Sequence, residues 1–154
     1  VYDHQPDAAT MADALTKWAQ EWDTEWIVVD THPGASPAAH GALAVANIVL
    51  APTALRTAEL DATAELVSEI ADYPLVIVPN FVPSTPPAAE IQRLRQIIDG
   101  TPVQVAPPIP VALHVGTRKK RIAITAETPP AKSLQKVAAA VTDLSTFVKG
   151  YVNG

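Results

Sequence analysis

An α/β fold is what this sequence predicts: a mostly parallel sheet covered by helices in a three-layer, Rossmann-like arrangement. Three observations carry the prediction. Short runs of apolar and β-branched residues alternate with longer segments whose apolar residues recur every three or four positions. The short runs are continuous rather than alternating, as strands covered on both faces require. The 15 Pro residues of the 154 fall between these runs, where they punctuate rather than disorder.

Each element has its own signal. Ala8 to Trp22 reads as a helix, with Asp7 as N-cap and Met11, Leu15, Trp18, Ala19 and Trp22 at helical spacing. Trp18, Trp22 and Trp26 resemble a stripe, although Trp26 belongs to the next element; core and sheet packing is the expectation for them. Trp26-Ile27-Val28-Val29-Asp30 reads as a buried strand ended by the turn-like His32-Pro33-Gly34. Pro37 to Ala46 suits a short helix, and Asn47 to Ala51 a second buried strand. Thr57 to Ala71 is a helix with Leu60, Ala64, Val67 and Ala71 on one side, and Leu75 to Val78 is a third strand.

Thr85-Pro86-Pro87 opens a further helix, because Pro costs nothing in the first turn. That helix carries Ile91, Leu94, Ile97 and Ile98 and stops at Gly100, a residue suited to a left-handed cap. Val103 to Ala106 is a fourth strand, placed at or near an edge by Gln104. Pro107 to Ala126 is irregular and Pro-rich and includes the basic run Arg118-Lys119-Lys120-Arg121. Thr128-Pro129-Pro130 opens a last helix running through Leu134, Val137, Val141, Leu144 and Phe147 to Gly150.

Composition removes several classes of function. With 154 residues, 48% hydrophobic and 18% charged, the chain is expected to be one domain, residues 1–154, large enough to bury a core. A formal net charge of -5 rules out a clamp for nucleic acid over the whole chain, so any DNA contact needs a local patch. The absence of Cys excludes disulfides, thiol catalysis and thiolate zinc sites. His4, His32, His40 and His114 share no metal-like spacing. The longest apolar runs, Ala42–Ala46 and Ile48–Ala51, fall far short of the roughly 20 residues of a membrane span, and no signal peptide is evident. A cytoplasmic, soluble domain is expected. The chain begins with Val1 rather than Met, which suggests a piece of a longer protein.

Ligands of open parallel sheets sit at the carboxyl ends of the strands. The informative stretches are therefore Asp30 to Ser36, Pro52-Thr53, Pro79-Asn80 and Pro107-Pro108. An Asp that ends a buried strand can hold a water of bound Mg²⁺, since a hard cation favours carboxylate oxygen. It can equally cap the turn or the helix that follows, and the spacing alone leaves both readings open.

The stretch Trp26-Ile-Val-Val-Asp-Thr-His-Pro-Gly-Ala-Ser36, followed by Ala42-Leu-Ala-Val-Ala-Asn-Ile-Val-Leu-Ala-Pro52, resembles the ParA/MinD family of deviant Walker-type ATPases, in the style of small plasmid-partition proteins. The order of the later segments is also similar, and the resemblance covers nearly the whole chain. It implies a P-loop NTPase-like fold with ATP and Mg²⁺ as cofactors. Asp30 would be the Walker B carboxylate, the catalytic position that holds Mg²⁺ through water. Thr31, His32, Pro33 and Gly34 would form the switch II turn that senses the γ-phosphate. Asn80, Pro107 and Pro108 fall where the family contacts adenine. Arg118, Lys119, Lys120 and Arg121 would neutralise phosphates of non-specifically bound DNA. No aromatic residues interleave with that run, so base stacking is not implied.

Two departures are local: His32 stands where the family has a small residue or Pro, and Asn47 replaces a common Asp. A third is larger. The chain contains no Gly-x-x-x-x-Gly-Lys-Ser/Thr and no deviant form of it, so a phosphate-cradling loop is expected in a parent protein before Val1, and the chain resembles the last three quarters of the family's domain. The strand of that missing segment would be central, and without it two apolar strand edges are left unpaired.

The resemblance implies an ATP-dependent homodimer, a cytoplasmic and nucleoid-associated switch in DNA segregation. A centromere-binding, ParB-like partner would stimulate hydrolysis, and no membrane is expected. Two alternatives stay open. One is a non-catalytic pseudo-ATPase that binds DNA or a partner. The other is a MinD-like membrane-positioning ATPase, which would need the last helix to lie on lipid.

Overall fold

The computed structural model describes residues 6–32, 36–119 and 122–154. They fall into two compact units, Val1–Asn47 and Ile48–Gly154.

The first unit is a pair of helices. Helix α1 (Ala8–Glu21) begins at Asp7, whose carboxylate accepts the Thr10 N–H at 2.7 Å. That bond holds the Asp7 carboxyl below its ordinary range, so the cap is intact at neutral pH and is lost as pH falls through the lowered value. Helix α2 (Pro37–Val45) is capped by Ser36, which accepts the Ala39 N–H at 3.1 Å, and carries Pro at its first position. The two helices meet closely at Gly41: a Cβ there would lie 2.2 Å from the Ala8 carbonyl oxygen and 2.8 Å from the Met11 Cβ.

Two expectations for this unit fail. Residues 26–30 form no strand, and Val28 is 90% exposed. An apolar run becomes a strand only where another strand offers a ladder for its N–H and C=O groups, and among the described residues none pairs with this one. The tryptophans are not core either. Trp18, Trp22 and Trp26 are 37%, 50% and 36% exposed, because the buried side of α1 is the one that carries Leu15.

The second unit is built on a three-stranded parallel sheet in the order β1 (Val49–Ala54), β2 (Leu75–Asn80), β3 (Gln104–Val105). Val49 pairs with Leu75, and Val76 with Gln104. Helix α3 (Thr57–Ile70) connects β1 to β2, and α4 (Ala88–Ile98) connects β2 to β3. Strand β2 lies in the middle and is buried from Leu75 to Pro79. Its alternate residues serve opposite faces. Leu75 and Ile77 join Leu60 and Val67 of α3, Leu94 of α4 and Val103 in one core. Val76 and Val78 join Ala106 in a second, over which Leu144, Phe147 and Tyr151 of α5 (Gln135–Asn153) pack. These are the three layers expected, helices on both faces of a parallel sheet.

The boundaries shift in instructive ways. Strand β1 starts two residues after Asn47 and runs through Pro52 to Ala54. Val49 donates to the Pro74 carbonyl at 2.8 Å, so alternate residues from Val49 turn their backbone toward β2. Pro52, which has no N–H to offer, falls on the open edge, where a strand tolerates it. Helix α4 ends with Gly100 at φ 73°, the left-handed conformation its position predicts. The last helix starts later than Thr128: the chain passes through a one-turn 3₁₀ segment, Lys132–Leu134, before α5 begins, and α5 continues past Gly150 to Asn153.

Two substitutions separate the units. Gly41→Ala forces α1 and α2 apart and is expected to cost about 1–3 kcal/mol, seen as an earlier unfolding midpoint by tryptophan fluorescence, since all three Trp lie in the first unit. Ile77→Ala leaves a cavity against α3 and α4 and is expected to cost about 2–5 kcal/mol, seen as a lower urea midpoint by far-ultraviolet circular dichroism.

Candidate functional site

The carboxyl ends of the parallel strands, where sequence reasoning looks for ligands, form a defined structure in the second unit. Strand β2 ends at Asn80, whose side-chain oxygen accepts the Phe81 N–H at 2.8 Å. Phe81 takes a left-handed conformation, φ 52°, which a non-Gly residue adopts at a cost of roughly 1–2 kcal/mol. This turn exposes the Phe81 ring, 62% accessible.

The pairing of β2 with β3 continues past both strands. Ala106 donates to the Ile77 carbonyl at 2.9 Å and Ile109 to the Pro79 carbonyl at 2.8 Å. Val82 then donates to Ile109, and Val111 to Val82, each at 3.0 Å. Pro107, Pro108 and Pro110 have no N–H, so Ala106, Ile109 and Val111 carry the donors. The stretches containing Asn80 and Pro107-Pro108, far apart in sequence, are thereby brought to one end of the sheet.

Beside them lies a cleft of about 220 Å³, walled by Phe81, Pro83, Pro87 and Val111, with Arg56 on its lining. Arg56 stands 3.6 Å from Glu59, an exposed pair of the kind worth little. No nucleophile or general base lines the cleft. Its lining is otherwise apolar, with Arg56 as the one charged side chain.

Thr53, at the end of β1, takes no part in an open site. It is buried, and its hydroxyl lies 2.8 Å from that of Thr63, which donates to the Glu59 carbonyl at 2.7 Å. The two hydroxyls satisfy one another inside the α3–β1 interface.

The remaining candidates lie elsewhere. Asp30, Thr31 and His32 belong to the first unit and are exposed in the irregular stretch after α1. Pro33 and Gly34 lie outside the described residues. Among the described residues no three His, Cys, Asp or Glu side chains converge as a metal centre would require. Asp30 could therefore offer Mg²⁺ a single carboxylate, which is all that contact through water demands.

The basic run divides. Arg118 turns inward: its guanidinium donates to the Glu127 carboxylate and to the Ile122 carbonyl at 2.5 Å, with side chains of Arg118 and Glu127 only 13% and 8% exposed. Lys119 is exposed, and Lys120 and Arg121 lie outside the described residues. Sequence reasoning missed Glu127 as a partner, because nothing in an irregular Pro-rich loop announces which charges will face inward.

Comparison with protein-family models, with characterised proteins and with solved structures finds no match to this chain.

Two experiments test these assignments. Arg118→Ala removes the guanidinium that donates to the little-exposed Glu127 carboxylate and is expected to destabilise by about 1.5–3 kcal/mol, whereas Lys119→Ala leaves the thermal midpoint unchanged within about 1 °C. Phe81→Gly removes the left-handed strain at the end of β2 and is expected to stabilise by about 0.5–1 kcal/mol in urea denaturation.

Proposed function

We propose that this chain is the greater part of a ParA-like partition ATPase, a Mg·ATP-dependent dimerising switch that binds DNA non-specifically and segregates plasmid or chromosomal DNA. The observation that carries the reading is the convergence of Asn80 with Pro107 and Pro108 beyond the strand ends of a parallel sheet, on a chain whose segment order resembles that family. In this reading the Asn80–Phe81 turn and the Pro107–Pro108 stretch hold the adenine ring. The family resemblance would give Asp30, in the first unit, the role of holding Mg²⁺ through water, and Thr31 to Gly34 that of responding to the γ-phosphate. ATP supplies the bond to be hydrolysed, and Mg²⁺ neutralises the charge that develops on its phosphates.

The donors in these 154 residues are one carboxylate for Mg²⁺ and an amide and loop backbone for a base; they include no phosphate-cradling loop. Binding by this chain therefore rests on the ring. The DNA contacts fall to Lys119, Lys120 and Arg121, with exposed Lys132 and Lys136 beyond them, since Arg118 is engaged with Glu127. The membrane-positioning alternative is weakened by α5, whose Leu144, Phe147 and Tyr151 are packed over the sheet. Among the described residues no helix is long and apolar enough to cross a membrane.

Titration calorimetry with adenosine and with Mg·ATP tests the nucleotide reading. Both are expected to bind weakly, Mg·ATP somewhat more tightly than adenosine, with Asn80→Ala weakening each by about tenfold and Asp30→Ala weakening Mg·ATP alone. No binding of either ligand, or equal binding by Asn80→Ala, would refute it. If DNA binding survives that refutation, the non-catalytic alternative becomes the account of the chain. Anisotropy of labelled duplex DNA should show steep salt dependence, the slope falling by about one for each cation removed in Lys119→Ala, Lys120→Ala and Arg121→Ala.

A further inference from the structure

The charge of the chain is unevenly divided. Through residue 47 there are seven carboxylates and one lysine; from residue 48 onward there are nine carboxylates and ten lysines and arginines. The whole negative excess therefore lies in the first unit, which also holds every tryptophan. Trp18 of α1 and Trp22, the residue that caps its C-terminal end, stack with ring centroids 5.2 Å apart and planes within 5°. Both remain exposed, Trp22 to one half. Exposed tryptophan at this density is unusual on a surface that water alone covers.

The surroundings of the stack specify what would cover it. Glu21, Asp23 and Glu25 alternate with Trp22 and Trp26 along the chain, and all three carboxylates are exposed. The only cation of the unit, Lys17, stands 3.6 Å from Glu21. The turn that presents them is held by Thr24, whose N–H donates to the Trp22 carbonyl at 2.8 Å and whose hydroxyl donates to the Trp26 carbonyl at 3.1 Å. An exposed, electron-rich indole with three exposed carboxylates beside it in the chain attracts a delocalised cation, through the ring quadrupole and through charge. Guanidinium suits it better than ammonium, being planar and more weakly hydrated.

We propose that the C-terminal end of α1 and the turn after it, with the stacked Trp18 and Trp22 and with Glu21, Asp23 and Glu25, is a docking surface for an arginine-bearing segment of a partner protein. One guanidinium stacks on the open face of Trp22, and neighbouring arginines pair with the carboxylates. The surface lies wholly within the first unit, and its recognition chemistry requires no nucleotide.

The test uses the full chain and labelled nona-arginine, with nona-lysine and a Gly-Ser peptide of equal length as controls, in the absence of ATP. Nona-arginine is expected to bind and to change the tryptophan fluorescence, several-fold more tightly than nona-lysine, and the Gly-Ser peptide is expected not to bind. Trp22→Ala is expected to weaken binding about tenfold, as is Glu21→Gln/Asp23→Asn/Glu25→Gln, which retains the rings. Circular dichroism checks that each variant folds, and the charge variant serves alone if Trp22→Ala does not. Unchanged affinity in the variants, equal affinity for nona-lysine and nona-arginine, or no binding would overturn the proposal. So would sedimentation showing that the tryptophans are buried in a dimer that Trp22→Ala dissociates.

Discussion

The second unit depends on one constraint: β2 has no solvent face. Its run from Leu75 to Pro79 is buried throughout, so each face of the strand must find a cover and each edge a partner. Leu75 and Ile77 require α3 and α4 on one side, Val76 and Val78 require α5 on the other, and β1 and β3 satisfy the backbone between them. Full burial of a Leu, Ile or Val side chain stabilises by about 1.5–3 kcal/mol, so this one strand ties all three layers together. The buried Thr53–Thr63 pair is tolerable within such a core because each hydroxyl finds a partner.

Where the sequence carried a local signal, the fold was legible. Asp7 and Ser36 stand before their helices and accept the N–H groups that caps should accept, and Gly100 adopts the conformation that ends α4. Periodicity in Thr57–Ala71 and the continuous run in Leu75–Val78 locate α3 and β2 to within a residue or two. What could not be read is whatever depends on a partner distant in sequence. Trp26–Asp30 has the composition of a buried strand, but composition does not provide the neighbour that a strand must pair with. The helical spacing of Trp18 and Trp22 was legible, whereas which side of α1 is buried is decided by its packing against α2.

The candidate site shows the same division. The rule that ligands gather at the carboxyl ends of strands picks out Asn80 and Pro107-Pro108 in advance, because strand ends are visible in the apolar pattern. It does not reveal that Phe81 would be left-handed and exposed, since the φ of a turn residue other than Gly is set by its surroundings. Thr53, picked out by the same rule, faces the core instead. The basic run was visible as charge, yet one of its four members is committed to Glu127, nine residues on and inside the loop. Charge is legible from sequence; desolvation is not.

The stitching beyond the strand ends has a consequence for motion. Ile109 both donates to Pro79 and accepts from Val82, and Val82 in turn accepts from Val111. Neither loop can open without breaking bonds to the other, so the two exchange with solvent as one cooperative unit rather than as independent flaps. A ligand that ordered either loop would order both, and the entropy lost at the second would already have been lost at the first. Two stretches separated by more than twenty residues thus share a single conformational equilibrium, and whatever biases one of them is felt at the other.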